Sequence, residues 1–231
     1  MAPGIGRALA RAVRQEGLGE DLAIEGPSLA NARRRQLFRY LCLRPCARVG
    51  EIARDLSYSQ ATVRWHEWDL LENGYVQIEG ARVFPAGLID PEDAVLFASL
   101  AAMGRAAVLA ATFASPGTSY QEVAQHVDLT RQSVSKIAQE LSEYGLLNLV
   151  EDGRYRRLYP TDRLTKKREG NRPRAAAFGD ALLRRLADDG LSPELLRRNE
   201  SALLVRFGVG PQRVVLDLPL DPYVTAWQGI S

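Results

Sequence analysis

The sequence predicts an α+β fold, mainly α-helical with small β-hairpins. One module of three helices and a hairpin occurs twice, and a small C-terminal α/β-hairpin segment follows. Three observations predict this. Between Thr118 and Leu147 the apolar residues fall into two helical phases, Val123, Ala124 and Val127, then Val134, Ile137, Ala138 and Leu141 at the spacing of one buried face. The next residues, LNLVEDGRYRRLY, put strand-like positions on both sides of Asp152-Gly153, a dipeptide suited to a tight hairpin turn. Finally, a shift of 71 residues lays Glu51 on Glu122, Ala53 on Ala124, Val63 on Val134, Leu70 on Leu141 and Gly74 on Gly145. Chance rarely brings cap, core, terminal glycine and hairpin into register together.

Residues 1–30 come first, as an N-terminal helix or arm. Ile5, Leu9 and Val13 line one side of it, and it reads either as a loosely packed helix or as a dimerisation arm. Gly4-Ile5-Gly6 follows no strand and is not a dinucleotide fingerprint. Residues 31–90 form the first module. Its first helix runs from about Ser28 to Leu43, with Leu37, Phe38, Leu41 and Cys42 inward, and Pro45 ends it. Arg33, Arg34, Arg35 and Arg39 occupy its start and outer side, where each cation opposes the helix dipole by about 0.3 kcal/mol. Phosphate contact and a plain solvated face both account for them.

Helices at 49–57 and 59–73 and a hairpin at 76–84, turning at Glu79-Gly80, complete this module. Asp90-Pro91-Glu92 opens a connecting helix over 91–102, with proline at its first position. The second module, 103–164, repeats the pattern with helices at 105–114, 119–127 and 130–144 and a hairpin at 147–159. TKKREGNRPR then reads as a basic linker, 165–175, rich in helix breakers. In the last segment, 176–231, a helix ends near Ala187 and a shorter one spans Ser192 to Arg198, with Pro193 at its first turn. ALLVRFGV and RVVLDLPL pair across Gly-Val-Gly-Pro as a hairpin.

Composition narrows the function. A chain of 231 residues, 46% hydrophobic and 25% charged, suits a globular protein. No run approaches a membrane span and the N-terminus lacks an apolar signal core, so a cytoplasmic location is expected, with no membrane partner. A net charge of +2 does not by itself imply nucleic acid, so the placement of charge has to carry that inference. Cys42 and Cys46 fit neither a zinc site nor a CxxC pair and read as core residues, with a redox-sensing pair as the alternative. The two histidines lie in helix-turn-helix elements. No nucleophile–base pair, metal cluster or phosphate loop is visible, so neither an enzyme nor a cofactor is expected.

A short helix, a tight turn, a longer helix and a hairpin make a winged helix-turn-helix. With Val63, Leu70 and their counterparts inward, the third helix of the first copy presents Gln60, Ala61, Arg64, Trp65 and Trp68. The second copy presents Arg131, Gln132, Ser135, Lys136 and Gln139. Arginine can pair with guanine and glutamine with adenine in the major groove. Arg154, Arg156 and Arg157 on the second wing suit phosphates or the minor groove. The candidate DNA-contacting set is therefore Gln60, Thr62, Arg64, Thr130, Arg131, Gln132, Ser133, Ser135, Lys136, Arg154, Arg156 and Arg157, including the cap residues. Trp65 and Trp68 are large for a solvated face. They suit a protein interface, packing within the chain, or the sugar-phosphate backbone.

VGEIARDLSYSQATVRWHEWDLLENGYV and YQEVAQHVDLTRQSVSKIAQELSEYGLL resemble winged-helix transcriptional regulators of the MarR/ArsR type, especially tandem regulators from archaea. The resemblance spans roughly residues 30–164. It implies a duplex-DNA partner read by the third helix, usually in a homodimer, and a repressor role. Two copies in one chain offer another way to present such a pair. The tail and the tryptophans depart from the family pattern, so effector and dimer mode do not carry over. The competing expectation is an architectural protein whose winged helices bind proteins, as in the chromosome segregation and condensation protein B family.

Overall fold

The computed structural model describes residues 26–228. The expected N-terminal helix, with Ile5, Leu9 and Val13, lies outside them. A short 3-10 turn, Ser28–Ala30, leads into α1 (Ala32–Leu43), and the Asn31 side chain caps that helix by accepting from the N–H groups of Arg33 and Arg34. Next come α2 (Val49–Leu56), α3 (Gln60–Glu72) and the two-stranded hairpin β1 (Val76–Glu79) and β2 (Arg82–Pro85).

The same order recurs as α5 (Met103–Ala114), the short strand β3 (Thr118–Ser119), α6 (Tyr120–His126), α7 (Arg131–Glu143) and β4 (Leu147–Asp152) with β5 (Tyr155–Pro160). The first and third helices of the two copies have identical bounds after the 71-residue shift. Details of the turns recur as well. Ser59 and Thr130 cap the third helices by accepting from Thr62 and Ser133 N–H, at 3.0 and 3.1 Å. Glu51 and Glu122 reach back to the backbone N–H groups of Arg48 and Ser119. Gly74 and Gly145 end the third helices at φ +67° and +66°, a left-handed conformation in which a Cβ is costly. The wings differ in length: Val76 faces Pro85 in a four-residue ladder and Leu147 faces Pro160 in a six-residue one.

Three expected elements are corrected. The connecting helix is not one rod. Asp90 caps a 3-10 turn, Pro91–Asp93, which passes into α4 (Ala94–Leu100), and α4 meets α5 at 90° across Ala101-Ala102. Residues 165–175 are not a linker. They form the first half of α8 (Arg163–Asp188), which runs unbroken through Gly170 and Pro173. Tertiary contacts outweigh poor propensity here: Lys167 pairs with Asp93, Arg174 with Asp90 and Arg168 with Asp221, while Asn171 donates to the Leu88 carbonyl. Lys167, Asn171 and Arg174 share a face with Ala175, Phe178, Leu182 and Leu186, so the helix has one continuous buried stripe whose first half is polar. Finally, Glu194–Arg198 is a strand, β6, not a helix. Ser192 sits at φ +47°, which breaks the helix start, and the central strand β7 (Ala202–Val209) takes β6 as an edge partner across a bulge.

The β6-β7-β8 sheet, completed by β8 (Gln212–Pro219), lays Leu203, Val205, Phe207, Leu216 and Leu218 against the core, with β8 beside α1. The last helix, α9 (Pro222–Gln228), lies between the two copies. Trp227 stacks on Phe113 of α5 at 4.5 Å, Thr225 donates to the Leu43 carbonyl, and Tyr223 packs on Phe97 and donates to the buried Asp93. Among the described residues no single helix is long and apolar enough to cross a membrane.

Candidate nucleic-acid interface

On α7, the inward stripe Val134, Ala138 and Leu141 is buried, which turns the opposite side outward. Arg131, Gln132, Ser133 and Lys136 are exposed there, and Ser135 is half-buried. The hydroxyls of Thr130 and Ser133 are 2.8 Å apart within the cap, so their first role is to hold the helix start. Arg131 and Lys136 have no ion-pair partner among the described residues. This turn offers a guanidinium, an amide and an ammonium to whatever meets it.

The wing is less cationic than three arginines suggest. Arg154 stands exposed at the turn without an acidic partner among the described residues. Arg156 pairs with Glu151 at 3.2 Å. Arg157 is half-buried, bonded to Asp152 at 3.1 Å and to the Gly117 carbonyl, with Glu122 at 3.7 Å. It ties the wing to α6, which corrects the expectation of a free phosphate-binding cation. Tyr155, which the sequence does not distinguish from an ordinary alternating residue, is 53% exposed beside the Arg157 guanidinium.

The first copy presents a different face. Gln60 and Arg64 are exposed on α3, but Thr62 is 1% exposed and shares the cap with Ser59, so it is not available to DNA. Trp65 and Trp68 stack on each other at 5.3 Å and are half-buried. Trp65 Nε1 is buried with no hydrogen-bond partner among the described residues. The α1 arginines all have contacts within the chain, and for Arg34 this corrects its placement on an outer face, while Arg39 stays exposed. Arg34 is 3% exposed and paired with Asp69 of α3 at 2.6 Å. Arg35 donates to the Leu29 and Ala30 carbonyls and Arg39 to that of Asp217. Arg33 lies over the Tyr58 ring.

Cys42 and Cys46 are buried free thiols. Burial pushes both up, Cys46 to about 12, which disfavours the reactive thiolate.

Among known proteins, no family model and no curated protein matches the chain. Two solved structures match part of it. One is the PcaV transcriptional regulator from Streptomyces coelicolor in complex with its natural ligand, 31% identical over 38% of this chain and 64% of that one, with a TM-score of 0.27. The other is a crystal structure of the same regulator, 31% identical over 37% of this chain and 65% of that one, with a TM-score of 0.26. The chain thus spans just under two thirds of the solved relatives that it matches.

Proposed function

We propose that the protein is a sequence-specific double-stranded DNA-binding transcriptional regulator, a repressor, built from two tandem winged-helix domains. The second domain reads the DNA. The observation that carries this reading is the exposed first turn of α7, with Arg131, Gln132 and Lys136 side by side and no acid among the described residues holding either cation. Arginine and glutamine at the start of such a helix match base edges in the major groove, and Arg154 at the wing turn adds a phosphate contact. The first domain has less to offer DNA, because its α1 arginines are engaged by Asp69, backbone carbonyls and the Tyr58 ring, and its third helix carries the tryptophan stack. It acts as the platform, and in a homodimer as the neighbour of the second subunit.

The tryptophan pair also supports a second reading. A half-covered tryptophan stack on a third helix suits contact with another protein, as in an architectural role. Fluorescence anisotropy with the duplex upstream of the protein's own coding sequence, at low and high salt, separates the two. The DNA reading expects binding that weakens as salt rises and discriminates against a scrambled duplex. No binding to any duplex leaves the architectural reading.

A further inference from the structure

The outward side of α3 departs from its counterpart in the second copy. A shift of 71 residues lays Ala61 on Gln132, Trp65 on Lys136 and Trp68 on Gln139. The three residues of α7 are polar and exposed, whereas those of α3 are apolar and half-buried, with the two indoles stacked at 5.3 Å. Spacings of four and three residues put Ala61, Trp65 and Trp68 in one stripe along the helix. The first copy thus keeps the backbone of the module and carries an apolar stripe where the second carries a polar one. Such a stripe marks an interaction surface.

The described residues begin at one edge of that stripe. Ser28 donates to the carboxylate of Asp69, which follows Trp68 and lies one turn beyond Trp65, and Arg34 holds the same carboxylate from α1. The chain that precedes Gly26 is therefore delivered to α3. In helical register its Ile5, Leu9 and Val13 fall on one side and Arg7, Arg11 and Arg14 on the other. Residues 14–25 reach about 40 Å when extended, and α3 is about 20 Å long, so the whole stripe is within range. The second copy is entered differently, because α4 leads into α5 directly across Ala101-Ala102. The copy with the apolar stripe is the copy that follows an apolar segment.

We propose that the segment carrying Ile5, Leu9 and Val13 packs on Ala61, Trp65 and Trp68 of its own chain, closes the outward side of α3 and turns Arg7, Arg11 and Arg14 away from it. A partner protein then reaches the tryptophans only by displacing this segment. The packing depends on neither functional reading above and can be measured without DNA or a partner.

Acrylamide quenching of tryptophan fluorescence in the full chain tests this. Trp227 is buried against Phe113, so a change in quenching reports on Trp65 and Trp68. Carboxylates are not buried unpaired against indoles, so Leu9→Asp combined with Val13→Asp should release the segment and raise the quenching constant on the order of twofold. Arg11→Asp, on the opposite side of the segment, should leave quenching unchanged. A thermal melt followed by circular dichroism checks that each variant is folded, and if the double change prevents folding, Leu9→Asp alone gives the same readout. No rise in the folded apolar-side variant overturns the proposal, and so does an equal rise in Arg11→Asp. Quenching of the unaltered chain that increases on dilution would place the segment on a second copy and overturn its assignment to its own chain.

Discussion

Two buried groups in the first copy set its response to pH and mutation. His66 is fully buried on α3 with neither ring nitrogen bonded among the described residues, and burial, followed by the nearby Arg34 and Arg33 charges, pulls its pKa from 6.5 to about 4. The unfolded chain therefore takes up a proton near pH 6.5 that the folded chain refuses until about pH 4. Stability is whole above pH 6.5 and falls as pH drops toward 4, by about 3 kcal/mol in total. Replacing His66 with Phe should remove most of that acid-dependent loss, read as the difference between urea midpoints at pH 7 and pH 4.5. An equal loss in both proteins would assign the acid sensitivity to other groups. Arg34 offers a second test. Its guanidinium is buried against Asp69, so Arg34→Ala leaves a carboxylate short of its partner and should cost about 3–5 kcal/mol. Arg131→Ala, on an exposed turn, should change stability by less than about 0.5 kcal/mol.

At the scale of elements, the third helix and the wing of the second copy divide the expected work. Arg131→Ala or Gln132→Ala should cost about 1–3 kcal/mol on the preferred duplex and much less on a scrambled one. Arg154→Ala should weaken both duplexes alike and reduce the log-affinity against log-salt slope by about one unit. Arg157→Ala should act differently, loosening the wing because its guanidinium is tied to Asp152 and the Gly117 carbonyl. Identical effects of all four changes on both duplexes would remove the division. The long helix α8 tests whether contacts or propensity hold it. Gly170 is exposed, with open space where a Cβ would stand, so Gly170→Ala should stabilise by about 0.5–1 kcal/mol in thermal or urea unfolding.

At the scale of the molecule, the tail acts as mortar. Helix α9 places Trp227 on Phe113 of the second copy, while Thr225 and Tyr223 hold Leu43 and the Asp93 corner. Helix α8 links the same corner to the first copy, where Phe178 packs beside Phe38 and Tyr75 donates to Asp189. The two copies should therefore unfold together. Urea unfolding followed by circular dichroism should show one transition, and Trp227→Ala should lower its stability by about 3–5 kcal/mol. Two separate transitions in the unaltered protein would mean that the tail does not couple the copies.

The repeated module was legible in the residues because its signals are local. A 3.6-residue apolar period, a capping hydroxyl at Ser59 and Thr130, a left-handed glycine at 74 and 145, and a hairpin dipeptide each act within a few positions of the chain. The tail hairpin was legible for the same reason. What only the tertiary structure decided depends on partners far away in sequence. The stretch at 165–175 reads as a linker because its buried stripe is polar. It becomes helix because Asp90, Asp93 and the Leu88 carbonyl, more than seventy residues earlier, accept from that stripe. Glu194–Arg198 becomes a strand because β7 supplies its ladder. The same distance hid the fates of Arg34 and Arg157, whose acids lie on other elements. Charge and composition are properties of a residue, whereas pairing belongs to the assembled chain.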